Sequence, residues 1–240
     1  LQWDDAASCC NLSVSEIVGR IGGECMLVDH RVAQLLCSRL CHDIAGPAGA
    51  VNTGLELIDD GAGDVADEAL DLVHRSARQV IARLSFFRIA FGSAGIGSAT
   101  TLTEMKTLAS EHLDGGLVAL DWPLDGLPPP DSKIAPPGGM LILNMLLLGV
   151  DALPRGGTLE VRCADVSGAL GLAITAKGQG AVLRPELREA MWLDMDITSL
   201  SARSVPGYCV SQVASDLGVD IEISDGDEGE VRMAVILPAG

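Results

Sequence analysis

Two consecutive stripes of apolar residues at helical spacing restrict this chain more than any other feature. From Val32 onward they recur at Leu36, Leu40, Ile44, Ala48, Val51, Leu55 and Ile58, in steps of three or four that put them on one face of a long helix. The run Asp59-Asp60-Gly61-Ala62-Gly63-Asp64 then supplies turn residues and a helix N-cap candidate in Asp64. A second stripe follows at Ala66, Leu70, Val73, Ala77, Val80, Leu84, Phe87 and Phe91. Two amphipathic helices joined by so short a turn make an antiparallel hairpin. One hairpin buries too little apolar surface by itself, and two copies pairing their stripes complete a four-helix bundle, so the pattern predicts a homodimer.

The rest of the chain has a different rhythm. Gly-Ser-Ala-Gly-Ile-Gly-Ser-Ala, between Phe91 and Thr100, reads as a linker, and Thr101 with Glu104 three residues on has the form of a capping box. A short helix to about His112, a strand from Leu117 to Trp122 and a proline-rich loop from Leu127 to Pro137 are expected next. The apolar helix around Asn144 precedes strands Thr158 to Ala164 and Ala169 to Ala176, which turn at Val166-Ser167-Gly168. A helix from Pro185 through Leu193 and a closing group of helix Val205 to Leu217, strand Val219 to Ser224 and strand Val231 to Leu237 complete the series. The expectation is α+β, an antiparallel sheet with helices on one face. The chain divides into an extension (1–29), a helical-hairpin domain (30–92) and a C-terminal domain (101–240).

The formal charge of −17 argues against nucleic acid or an anionic membrane as partner, because the whole-molecule field repels polyanions. The longest apolar run, Met140 to Val150, is too short to cross a bilayer, and no basic segment followed by an apolar stretch opens the chain, so a cytoplasmic protein is expected. Seven cysteines without a Cys-x-x-Cys pair indicate neither a disulfide framework nor a structural zinc site. Residue 1 is Leu, Met26 is a candidate start, and the segment before it is assigned no function.

Within the first helix lies Ser38-Arg39-Leu40-Cys41-His42-Asp43-Ile44-Ala45-Gly46-Pro47. It resembles the H-box of histidine kinases, where a histidine, an acidic residue and a proline five positions after the histidine sit on a dimerisation helix. The C-terminal half resembles the kinase ATP-binding domain of the Bergerat type with its catalytic residues lost. Where that family has Asn-Leu-Leu-x-Asn-Ala and then Pro-x-Gly-Gly, this chain has Asn144-Met145-Leu146-Leu147-Leu148-Gly149 and Pro154-Arg155-Gly156-Gly157. The resemblance assigns the second asparagine to magnesium, and Leu148 offers no oxygen to a hard cation. The Asp-x-Gly-x-Gly box appears as Ala176-Lys177-Gly178-Gln179-Gly180, without the carboxylate that reads adenine, and Gly-x-Gly-Leu appears as Val205-Pro206-Gly207-Tyr208. Proline there removes an N–H and the side chains obstruct phosphate.

A phosphoacceptor hairpin on a decayed ATPase-like domain is similar to the ChpT-type histidine phosphotransferases of bacterial phosphorelays, from Val32 to the C-terminus. The resemblance implies a carrier that uses no cofactor and no metal, takes phosphate from the receiver domain of a hybrid histidine kinase and hands it to response regulators. His42, two residues from both Leu40 and Ile44, points away from the buried stripe and faces solvent. By resemblance it is the phosphoacceptor, and Asp43 holds the tautomer that leaves Nε2 as nucleophile. Pro47 cannot donate to the carbonyl of Asp43 and is expected to bend the helix, while Gly46 and Gly49 leave room for a docking receiver domain. Counting from the turn puts Gln79, Arg83 and Phe86 level with His42, and Arg39 one turn before it; either arginine can meet the phosphoryl group or an acidic receiver site. His30, His74 and His112 read as structural or surface residues. Two other readings stay open: a divergent kinase that still uses ATP, and a dimeric adaptor in which His42 is incidental.

Overall fold

A computed structural model describes residues 29–60, 66–92, 99–124, 133–192, 195–226 and 229–238. The extension to residue 28, the turn with Asp64, most of the Gly/Ser linker and part of the proline-rich loop lie outside the described residues. Helix α1 spans His30–Asp59 and α2 spans Ala66–Ala90, so both stripes fold as the periodicity predicts. Asp29 caps α1 by accepting from the Arg31 N–H at 2.7 Å, which satisfies one of the free amides of the first turn. α1 runs on through Pro47, which is buried.

In the C-terminal half a two-residue strand β1 (Thr100–Thr101) pairs antiparallel with β3 (Lys133–Ile134), and between them lie α3 (Leu102–Leu113) and β2 (Val118–Asp121). The capping box is formed: Thr101 accepts from the Glu104 amide, and the Glu104 carboxylate accepts from the Thr101 N–H at 2.8 Å. α4 (Pro136–Asp151), β4 (Gly157–Val166), β5 (Ala169–Lys177), α5 (Pro185–Glu189), a 3-10 turn (Ile197–Ser199), α6 (Val205–Leu217), β6 (Glu222–Asp225) and β7 (Glu230–Leu237) follow. The β4–β5 hairpin turns at Ser167 (φ 56°) and Gly168 (φ 87°), the left-handed pair that matches the twist of its strands.

The five-stranded sheet has the order β2-β4-β5-β7-β6 and is mixed, because β2 pairs parallel with β4 while every other pairing is antiparallel. This corrects the all-antiparallel expectation: α3 and β2 precede the hairpin strands, and the chain re-enters β4 from the same end through α4, a crossover that demands a parallel partner. The helix from Pro185 ends at Glu189 rather than Leu193, and the last meander begins at Glu222 rather than Val219.

One sheet face alternates Leu159, Val161, Leu172, Ile174, Ala176, Val231, Met233, Val235 and Leu237, all buried, against α4. The other carries ion pairs, among them Lys177 with Glu160 at 3.0 Å. α4 is apolar all round and buried from Leu141 to Gly149, as befits a helix between sheet and hairpin. The hairpin does not stand apart from this body. Phe86, Phe87 and Ala90 of α2 belong to the same core as Leu102, Met105 and Leu141, and Val32 of α1 packs with Ala190, Leu200 and Val205. Arg31 secures that second contact by donating to the carbonyls of Ile197 at 3.1 Å and Leu200 at 3.0 Å.

Candidate phosphotransfer site

His42 projects from the middle of α1 with its side chain 86% exposed. Its Nδ1 lies 3.0 Å from Oδ1 of Asp43, so a proton held on Nδ1 is donated to the carboxylate and Nε2 is left facing solvent with its lone pair. The other oxygen of Asp43 accepts from Arg39 Nε at 2.8 Å. Arg39 in turn forks onto Asp151, the last residue of α4, at 3.1 and 3.2 Å. Burial works against the Arg39 charge, but the charges and hydrogen bonds of Asp151, then of Asp43, outweigh it and raise the guanidinium above its ordinary pKa. Arg39 is therefore a permanent cation committed to two carboxylates.

The backbone at Asp43 is held as well. Pro47 has no N–H to give to the Asp43 carbonyl four residues back, which leaves that acceptor open in mid-helix. Arg83 of α2 closes it by donating from its guanidinium to this carbonyl. Asp43 is thus fixed by one arginine through its side chain and by another through its main chain.

Gly46 and Gly49 are one and two turns beyond His42 on the same helix face, both are exposed, and a Cβ at either would meet nothing within 4 Å. His42, Gly46 and Gly49 form a flat exposed stripe. Phe86 is a correction to the neighbourhood drawn from sequence: it is 1% exposed and stacks on His112 with ring centroids 4.1 Å apart, inside the junction between hairpin and C-terminal half. Counting along the hairpin gave its height but not the side of α2 from which it points. Gln79 is likewise turned to the junction, where its Nε2 lies 2.8 Å from the position of a Cβ on Gly115. Pro47 is buried, so its contribution is the freed carbonyl and not a surface.

Two further residues matter at the site: Asp151, which sequence reading missed, and His112, which it took as structural or surface. Asp151 is 112 positions from Arg39 and only the fold brings them together. His112 is half-buried at the junction with its Nδ1 enclosed, and desolvation, with the nearby Arg83 cation adding to it, pushes its pKa down to about 4.

The positions that hold a magnesium nucleotide in the resembled kinases are packed with protein here. Leu148 and Ala176 are fully buried, and Val205, Pro206 and Gly207 lie in the interior, where a Cβ on Gly207 would come within 2.6 Å of the Leu187 carbonyl. Asn144 is spent on structure, donating through Nδ2 to the carbonyls of Ala90 at 2.7 Å and Met140 at 2.9 Å. These residues do not fit a nucleotide or its metal. Among the described residues no group of three or more His, Cys, Asp or Glu is placed to hold a metal ion.

Residues 102–229 match the family model of the histidine phosphotransferase C-terminal domain. The chain belongs to the histidine phosphotransferase family. Among members of that family, the protein phosphotransferase ChpT of Brucella abortus (strain 2308) is 37% identical over 190 residues, 79% of this chain and 88% of the relative. A solved bacterial phosphotransferase superposes with a TM-score of 0.71 at 32% identity, covering 87% of this chain and 97% of that one. Both likenesses take in the hairpin as well as the sheet domain, so the chain is a phosphorelay histidine phosphotransferase of the ChpT type in architecture as in sequence. No helix among the described residues is long and apolar enough to cross a membrane.

Proposed function

We propose that this chain, acting in the cytoplasm as a homodimer, carries a phosphoryl group on His42 Nε2, accepting it from the receiver domain of a hybrid kinase and passing it to response regulators. The observation that carries the reading is a solvent-facing imidazole whose Nδ1 is occupied by Asp43 while Nε2 is free. Nε2 attacks the phosphorus of a receiver's aspartyl phosphate in line; the N–P bond forms as the P–O bond to the donor carboxylate breaks, and that carboxylate leaves with the electron pair. The Nδ1 proton stays in place, so positive charge builds on the ring, and the Asp43 carboxylate beside it stabilises that charge. Delivery is the reverse: an acceptor carboxylate oxygen attacks, the N–P bond breaks and the imidazole recovers its lone pair.

The flat stripe of His42, Gly46 and Gly49 supports close approach of a globular partner, since the two glycines present open space where side chains would stand. The homodimer is supported by large apolar side chains that one hairpin leaves exposed: Leu55, Leu57, Leu70, Ile81 and Leu84 range from 41% to 64% exposed. A four-helix bundle is the arrangement that covers them. ATP has no part in the scheme, because Leu148, Ala176 and the α6 N-terminus fill its place.

The test is to incubate the protein with labelled ATP alone and then with a labelled, phosphorylated receiver domain, comparing wild type with His42→Ala. Label arriving only from the receiver, and only with His42 present, is expected. Label taken directly from ATP would make the chain a kinase, and transfer that survives His42→Ala would put the carrier elsewhere.

A further inference from the structure

We propose that Asp151, on the ATPase-like domain, is a positioning residue for phosphotransfer, aiming the His42 imidazole through Arg39 and Asp43. The contacts form an unbroken series across the domain junction. Asp151 accepts both terminal nitrogens of Arg39, at 3.1 and 3.2 Å, a two-point grip that fixes the plane of the guanidinium as well as its place. With that plane fixed, the Arg39 Nε–H has one direction, and it meets Asp43 Oδ2 at 2.8 Å. The carboxylate held there presents Oδ1 to His42 Nδ1 at 3.0 Å.

Burial falls away in the order this role requires. The Asp151 and Arg39 side chains are each 15% exposed, Asp43 21% and His42 86%, so a rigid, sheltered base supports a reactive tip. Arg39 has four rotatable side-chain bonds, and without its second carboxylate it would hold Asp43 by a single contact from a mobile arm. The inference also gives the domain that no longer fits a nucleotide a part in the chemistry: α4, the helix that once framed the nucleotide site by resemblance, ends in the carboxylate that anchors the phosphoacceptor.

The inference rests on the phosphorelay reading, yet one of its readouts needs no phosphoryl donor. Nitrogen NMR of the His42 ring, at a pH where it is neutral, reads which nitrogen carries the proton. In the wild-type homodimer the Nδ1–H form is expected to dominate, whereas an unrestrained histidine favours Nε2–H. Asp151→Asn keeps the shape and removes the charge. It is expected to move the ring toward Nε2–H and to lower the initial rate of transfer from a phosphorylated receiver domain about tenfold, as loss of an outer supporting contact does elsewhere. Arg39→Lys, which keeps one cation but cannot bridge two carboxylates, is the second variant and serves if Asp151→Asn fails to fold. It is expected to shift both readouts in the same direction.

A ring tautomer ratio unchanged in both folded variants overturns the inference, as does an unchanged transfer rate. A fall in rate with no tautomer change overturns it too, since that would mean a contact to the partner or a loss of fold. If wild type takes no phosphate while Asp151→Asn still shifts the tautomer, the relay reading fails and the positioning role stands.

Discussion

His112 shows how much of the hairpin junction is decided by single side chains. It stacks on Phe86 at 4.1 Å and edge-on to Phe87 at 5.4 Å, with Nδ1 buried and without a hydrogen-bond partner among the described residues. Its pKa is lowered to about 4, so the folded protein resists a proton that the unfolded chain accepts near pH 6.5. The neutral ring's full contribution is therefore present above about pH 6.5 and is lost as the pH falls toward 4, a decline of about 3 kcal/mol. Denaturant unfolding of His112→Phe, which keeps the ring stack and removes the titration, is expected to show a flatter stability profile between these pH values than wild type; parallel profiles would contradict it. At this scale the sequence was legible where a single helix settles the geometry. His42 lies between Leu40 and Ile44, and periodicity alone turns it outward. Asp151 and the bond from Arg83 to the Asp43 carbonyl depend on contacts between distant segments, to which residue spacing is blind.

Among the elements, α1 and α4 depart furthest from ordinary helices. α1 accommodates Pro47 because Arg83 satisfies the carbonyl that the proline abandons, so Arg83→Met is expected to destabilise the hairpin by about 1–3 kcal/mol, the cost of stranding a sheltered acceptor, as measured by urea unfolding. A change below about 0.5 kcal/mol would show that water serves the carbonyl equally well. α4 uses Asn144 as a strut to the last turn of α2 through the Ala90 carbonyl. Asn144→Leu, close in volume, is expected to cost about 1–3 kcal/mol in the same measurement, and a neutral or stabilising effect would assign the strut no value. Helix existence was plain from apolar spacing, and α6 has the predicted bounds, Val205–Leu217. The parallel pairing of β2 was not, because alternation along a strand names its buried face and says nothing of its neighbour. The early end of α5 at Glu189 was equally hidden, since a proline marks where a helix can begin and no glycine or cap marks its end.

For the molecule as a whole, the linker composition divides the sequence into a hairpin and a C-terminal domain, and one core runs from Phe86 and Phe87 of the hairpin into the sheet domain. A hairpin built into that core is tied to the sheet domain, which accords with the proposal that His42 meets its partners with a preset imidazole. On the hairpin an apolar strip stays open along its end and flank, where Ile81 is 64% exposed. Ile81→Glu, which places a charge in the expected bundle interface, is expected to shift the protein from dimer to monomer in sedimentation equilibrium while leaving the sheet domain folded; a dimer of undiminished affinity would locate the interface elsewhere. The measurement that bears most directly on the whole account is phosphorus NMR, with mass-spectrometric mapping, of the chain equilibrated with a phosphorylated receiver domain. One acid-labile phosphoramidate, on Nε2 of His42, is expected. A phosphoryl group on Nδ1, on another residue or on no residue of this chain would contradict it.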